Sequence, residues 1–420
     1  MASVPLGLLY SVLLARSLGP DTRGEYAVFV TAVGILSGIL SLGIGIVGRA
    51  EIASEPSRAR QIHSNMVWFV IAAGLGLLAL SQVFPSAIKA AHPFNRAIAL
   101  VICAVTAIYA GFGTLVLQGL GHFRFVNSLR LLRSIFDIVC LSAIVVVLKL
   151  GLGGAVWSWT LSGSLAAISM FVLIARVIGL PVKGSLSGIR SAFRHGWKLL
   201  VAAQAIALET SLVILLLNRY GSHSDVGVFA IAMGLSFQVS SLCATLAVVA
   251  SDRIAGPQRA ASEELVKRLA RLMFALVVPV TLAAMILSHT FVTLLYGAAY
   301  AAAAKLFVIL LVGALLGTVT EVHAQYLIGQ HWKSRDMMLL NLVNFAVALA
   351  LSFALIPRYG AIGAAISLSG ASALNAFMHH FWVRRIMGCP PHELLVLKRS
   401  DLFMMLHAFD IAPEKQALES

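Results

Sequence analysis

Uncharged or nearly uncharged stretches follow one another along the chain, each ended by charged residues or by Gly/Pro punctuation. They lie at about 3–18, 26–48, 65–88, 97–120, 134–149, 152–175, 199–218, 226–250, 272–290, 305–328, 337–356 and 360–383. A helix rises about 1.5 Å per residue, so roughly 20 apolar residues cross a hydrocarbon layer of about 30 Å. The pattern predicts twelve transmembrane helices. Strict alternation of polar and apolar residues is absent, and the windows are too long for barrel strands. The first window begins almost at Met1, without the basic leader of a cleavable signal, and its shortness leaves open whether the true start lies upstream.

Composition agrees with this reading. Of 420 residues, 60% are hydrophobic and 11% charged, whereas soluble chains carry roughly 25% charge and 45–50% apolar residues. That argues against a soluble enzyme and against a large extramembrane domain on a single anchor. The net charge of +14 would suggest nucleic acid in a soluble protein. Here loop cations facing anionic lipid account for it, and no nucleic-acid partner is expected.

Sorting every Lys and Arg by loop tests the helix count, because short cytoplasmic loops hold an excess of them. The loops after even-numbered helices, with the tail, hold 23 and those after odd-numbered helices hold 8 of the 31. A miscounted helix would scramble this skew, so it supports an even count with both termini cytoplasmic. The four cysteines show no CxxC and no Cys/His cluster of ligand spacing, so neither a disulfide framework nor a metal site is read, and no cofactor is expected.

The chain also repeats itself. Residues 121–176 align with 330–385 at a constant offset of 209, placing Gly151 on Gly360, Gly154-Ala155 on Gly363-Ala364, Ser158 on Ser367 and Arg176 on Arg385. Gly24 through Ala27 pairs with Gly227 through Ala230. Six helices per copy is an even number, so both copies enter from one side and are related by an axis along the membrane normal. The expected organisation is an all-α polytopic protein with a six-helix lobe over 1–177, a cytoplasmic connector over 178–197, a second six-helix lobe over 198–385 and a cytoplasmic tail over 386–420.

Ala15-Arg16-Ser17-Leu18-Gly19-Pro20-Asp21-Thr22-Arg23-Gly24-Glu25-Tyr26, followed by Leu42-Gly43-Ile44-Gly45 and Arg49, resembles the opening of bacterial polysaccharide biosynthesis proteins. These are the lipid-linked oligosaccharide flippases of the multidrug/oligosaccharidyl-lipid/polysaccharide exporter superfamily. Gln118-Gly119-Leu120-Gly121, Asp225 through Ala232, Leu294 through Tyr300 and Tyr359 through Ala365 are similar to later landmarks of that family. The resemblance covers about residues 1–385. It implies a two-lobe protein of the bacterial inner membrane that carries an undecaprenyl-diphosphate-linked glycan to the periplasmic leaflet, for O-antigen, capsule or exopolysaccharide. Lipid, H+ or Na+, and glycan polymerases and glycosyltransferases are the implied partners.

Such a task needs cations for a diphosphate, a hydrated hollow for sugar and an apolar exit for the prenyl tail, and it breaks no bond. Charges inside a bilayer are costly and are functional candidates by default. Arg49 and Arg253 end helices 2 and 8 and are candidates for the diphosphate at the cytoplasmic mouth; snorkelling lipid anchors are the alternative. Arg16 and Arg219, at the outer ends of helices 1 and 7, are candidates for receiving substrate or are plain loop charges. Gln204, Asn218 and Gln238 are candidates for sugar hydroxyls or helix–helix glue. Glu209, inside helix 7, is the ion-coupling candidate, with a structural hydrogen bond as the alternative. Asp137 and Glu321 read as structural, with Arg133 and His323 as possible partners. His379 and His380 read as interfacial. A cation-coupled drug or metabolite antiporter on the same fold is the rival, and a membrane-embedded glycan polymerase or ligase a remoter one.

Overall fold

The computed structural model describes residues 3–83, 94–254, 259–330, 334–390 and 393, and among them every regular element is helical. In order they are α1 (Ser3–Leu40), α2 (Ile44–Ser54), α3 (Ala59–Val83), α4 (Phe94–Gly119), α5 (Phe123–Leu141), α6 (Gly151–Ile178), α7 (Leu186–Tyr220), α8 (His223–Ile254), α9 (Arg259–Ile286), α10 (Ser288–Tyr296), α11 (Ala302–Gln330) and α12 (Ser334–Met387). A π-helical turn over 142–147 and a 3-10 turn over 298–300 link some of them.

Two of these helices are hairpins. Within α1, Gly19 has φ 74 and ψ 170 and is followed by Pro20. The Tyr10 and Tyr26 hydroxyls hydrogen bond at 2.8 Å. Sixteen residues of straight helix would separate them by about 24 Å, so the chain turns back at Gly19, where glycine admits the positive φ and proline suits the first turn of the next arm. Within α12 the turn falls at Pro357 to Gly360, with φ 54 and ψ −130 at Gly360. A Cβ on Gly363 would meet the Leu355 carbonyl across that turn.

Among the described residues seven helices are long and apolar enough to cross a membrane, the two hairpins among them. Taking both arms of each hairpin, with α5, α7 and α8, gives the twelve spans of the sequence reading. The boundaries differ where charge begins a helix. Helix 5 starts at Phe123 rather than 134, so Arg130 and Arg133 stand inside it, and α9 starts at Arg259 rather than 272. Arginine and lysine are good helix formers, and nothing obliges a helix to stop where the apolar layer does. The helical part of the connector runs straight into helix 7 as α7, started by Ser185, whose Oγ accepts from the Gly188 N–H at 3.3 Å.

The repeat is legible in local conformation. Gly151 and Gly360, aligned at the offset of 209, have φ 56 and 54 and each opens a helical arm. The aligned Ser158 and Ser367 are both buried, and their hydroxyls donate to carbonyls one turn back, of Ala155 and Gly363.

The chain forms two compact units. The first comprises 1–233, 289–306 and 334–368, with cores around Ile52, Met66, Phe112 and Ile174, and around Leu14, Phe29, Leu141 and Val156. The second comprises 234–288, 307–333 and 369–420, with a core around Val266, Met273, Val322, Tyr326 and Val383.

Candidate functional site

A cavity of about 460 Å³ lies in the first unit between α4, α5 and α6, within the range of about 300–1,000 Å³ typical of small-molecule sites. Its walls include Thr106 and Thr114 from α4, Arg130 and Arg133 from α5, and Trp159 and Gly163 from α6. Arg133 is held firmly. Its Nε donates to Asp137 at 3.0 Å, the Ser162 hydroxyl donates to the other oxygen of that carboxylate at 2.6 Å, and its guanidinium lies 5.9 Å from the Trp159 ring. A Cβ on Gly163 would stand 2.6 Å from Nη1, so the absence of a side chain there lets Arg133 cross the helix. Trp159 is fixed in turn by edge-on contacts with Tyr26 and Phe29.

Arg130 lies on the same α5 stripe, and among the described residues no carboxylate pairs with it. The cavity thus offers one neutralised arginine, one unneutralised arginine, an aromatic face and threonine hydroxyls. That set can hold an anionic group next to a polyhydroxyl ring. Asp137 was expected beside Arg133, and the pair forms. Charge at Arg130 and Arg133 ends an apolar window and so reads as loop, yet both lie inside α5. The spacing Val126, Arg130, Arg133, Asp137 was the missed signal, since it follows one helical face.

The residues singled out from sequence are dispersed. Arg16 caps another helix: its Nε and Nη2 donate to the Leu295 and Leu294 carbonyls at 2.7 and 2.6 Å, at the end of α10, where carbonyls lack helical donors. Arg219 is exposed in the last turn of α7. Arg49 donates to the Gln118 side chain at 3.4 Å, and the second arm of α1 separates it from Arg16. The side chain of Arg253 lies outside the described residues. Among the described residues the Gln204 and Asn218 side-chain oxygens are buried without a protein partner, and Gln204 lies against Gly38, whose lack of a Cβ makes room for the amide. Gln238 is half-buried in α8. Glu209 accepts from Asn344 Nδ2 at 2.7 Å, tying α7 to the first arm of α12. Among the described residues His323 makes no hydrogen bond, to Glu321 or otherwise. His379 is buried, its Nδ1 beside the Asn375 carbonyl.

One side of the first unit is closed by contacts between the two halves of the sequence. A Cβ on Gly24 would meet the His223 carbonyl and Gly227 N, and a Cβ on Gly227 would meet the Pro20 carbonyl and Gly24 N. These two glycines are repeat partners, and a reciprocal contact between partners is what a two-fold axis produces. Nearby, Tyr296 donates to Ser11 Oγ at 3.3 Å and the buried Tyr300 to the Ala15 carbonyl at 3.1 Å.

A family model described as polysaccharide biosynthesis protein matches residues 1–251. A search of curated proteins finds no match. Among solved structures, the lipid II flippase MurJ in an inward closed conformation aligns with a TM-score of 0.73 at 16% identity, over 98% of this chain and 92% of that one. An inward-facing multidrug resistance MATE family transporter of the MOP superfamily aligns with a TM-score of 0.69 at 15% identity, over 92% and 94% of the two chains. A MOP superfamily transporter from Pyrococcus furiosus aligns with a TM-score of 0.61 at 16% identity, over 92% and 94%. These identities carry the fold.

Proposed function

We propose, since this chain belongs to the polysaccharide biosynthesis protein family, that it is a flippase moving undecaprenyl-diphosphate-linked oligosaccharide from the cytoplasmic to the periplasmic leaflet of the inner membrane. The lobes in this reading are 1–177 and 198–385, joined by the connector 178–197 and followed by the tail 386–420, with both termini cytoplasmic as the cation skew requires. The observation that carries it is an arginine without a carboxylate partner, Arg130, in a cavity that also presents Trp159 and threonine hydroxyls. A phosphate supplies the missing charge, and a sugar ring has an apolar face for the indole and hydroxyls for the threonines.

Arg49 and Arg253 then meet the diphosphate at the cytoplasmic mouth. The contacts of Gly24, Gly227, Tyr296 and Tyr300 form the periplasmic seal. Arg16 belongs to that seal while it caps α10, and becomes free with Arg219 to receive the headgroup once the seal parts. Gln204, Asn218 and Gln238 are sugar contacts along the route, and Glu209 with Asn344 responds to H+ or Na+. Glycosyltransferases that supply the lipid-linked glycan and a polymerase that consumes it are the functional partners.

The rival antiporter needs a carboxylate open to an organic cation. In the cavity the nearby carboxylate, Asp137, is already engaged by Arg133 and Ser162. The test is flipping of labelled undecaprenyl-diphosphate oligosaccharide in proteoliposomes. Arg130→Ala is expected to lower the rate about tenfold or more, the worth of one or two charge-assisted hydrogen bonds. Wild-type protein that exports cationic drugs and leaves the lipid in place would favour the antiporter.

A further inference from the structure

Outside the cavity, the most unusual chemistry lies where α11 meets the second arm of α12. His323 is fully buried, and among the described residues neither of its ring nitrogens has a hydrogen-bond partner. A neutral imidazole carries one donor and one acceptor. Burying such groups unsatisfied is costly, so an apolar side chain would be the more stable occupant. The group that faces the ring is a second imidazole, that of His380, with centroids 5.6 Å apart and planes tilted by 43°. As the rings stand no hydrogen bond joins them; at this spacing a rotation about either side chain would turn a nitrogen of one ring toward the other. His379 stands beside them, buried, and the side-chain oxygen of Asn375, one turn before His379 on the same helical face, is also buried with no partner among the described residues.

We propose that His323 and His380 hold a single shared proton, and that its uptake and release are coupled to the transport cycle. One proton fits between two imidazoles as an N–H···N bond that serves both rings, whereas a second would set two cations side by side. The proton comes from water on one side of the membrane and leaves to water on the other, and no other bond forms or breaks. Beside the pair are His379, on the same arm as His380, and Arg384, one turn beyond it; Glu321, two residues before His323, lies on another side of α11. From α9, which packs against Val322 and Tyr326, Lys267 and Arg271 are engaged by Glu393 and Glu264, and Glu263 accepts from the Tyr326 hydroxyl. No carboxylate hydrogen bonds to His323, so the second imidazole is its partner for a charge.

The proposal rests on the transporter reading, so the test has two arms. In the first, the full chain is labelled with 15N-histidine in lipid nanodiscs and titrated. Two resonance sets that change together in one step, both altered by His323→Gln, are expected; two independent titrations, or none, would overturn the site. In the second, flipping of undecaprenyl-diphosphate N-acetylglucosamine is followed in proteoliposomes under an imposed pH gradient. The gradient is expected to accelerate the wild type and to leave His323→Gln and the half-exposed His380→Gln at their no-gradient rates. Retained acceleration in either folded variant overturns the coupling. Absence of any flipping counts against the flippase reading, while the titration still decides the shared proton.

Discussion

At the residue scale, the firmest group in the cavity is Arg133, and its role is separable from that of Arg130. Asp137 and Ser162 hold Arg133 in one position, with Trp159 against its face. Asp137→Asn removes the charge partner and leaves a partly buried guanidinium short of an acceptor, a loss of about 1.5–3 kcal/mol for hydrogen bonds to charged groups. A lower unfolding temperature in detergent is the expected outcome. Replacing both partners by apolar residues, Arg133→Met with Asp137→Leu, is expected to recover part of that loss, because removing a pair costs less than breaking one. A double variant less stable than Asp137→Asn would show that the pair does more than neutralise itself. Arg130 has no such partner, so Arg130→Ala is expected to leave stability nearly unchanged while flipping falls.

At the element scale, glycine conformation separates turns that sequence alone could only punctuate. Gly360 has φ 54 and ψ −130, a region that costs any residue with a Cβ at least the 1–2 kcal/mol of a left-handed conformation. Gly360→Ala is expected to lower the unfolding temperature by that measure, and Gly153→Ala, at a helical glycine with open space around it, to leave it unchanged or raise it, because alanine is the better helix former. Equal losses at the two would contradict the turn assigned at Gly360.

The same elements show what the sequence made legible. Apolar windows located all twelve spans, because lipid forces every backbone group into a helix and every helix to a minimum length. The start of α5 lies eleven residues before its apolar window, because a helix continues through charged residues that end the window. That continuation hid the cavity, whose cations lie on the first turns of α5. The capping role of Arg16 was also out of reach, since its acceptors are carbonyls nearly 280 residues away. Gly151 and Gly360 could be matched at a fixed offset, and both prove to need positive φ.

At the scale of the whole molecule, the reciprocal contact of Gly24 and Gly227 makes a prediction that neither glycine makes alone. Each occupies the space that a Cβ on the other's helix would require, so α1 and α8 approach there as closely as backbone permits. Gly24→Val and Gly227→Val each put atoms where the partner helix has a carbonyl. If this contact is the periplasmic seal, each substitution should hold the two helices apart, raise labelling of a cysteine placed at Ser11 by an impermeant thiol reagent, and stop flipping. Once one helix has been pushed away, the second valine meets no neighbour, so the double variant should label no faster than either single one. Additive labelling would mean that the two glycines act at separate places. Unchanged labelling in well-folded single variants would mean that the seal lies elsewhere and that this close crossing serves only to join the two repeats.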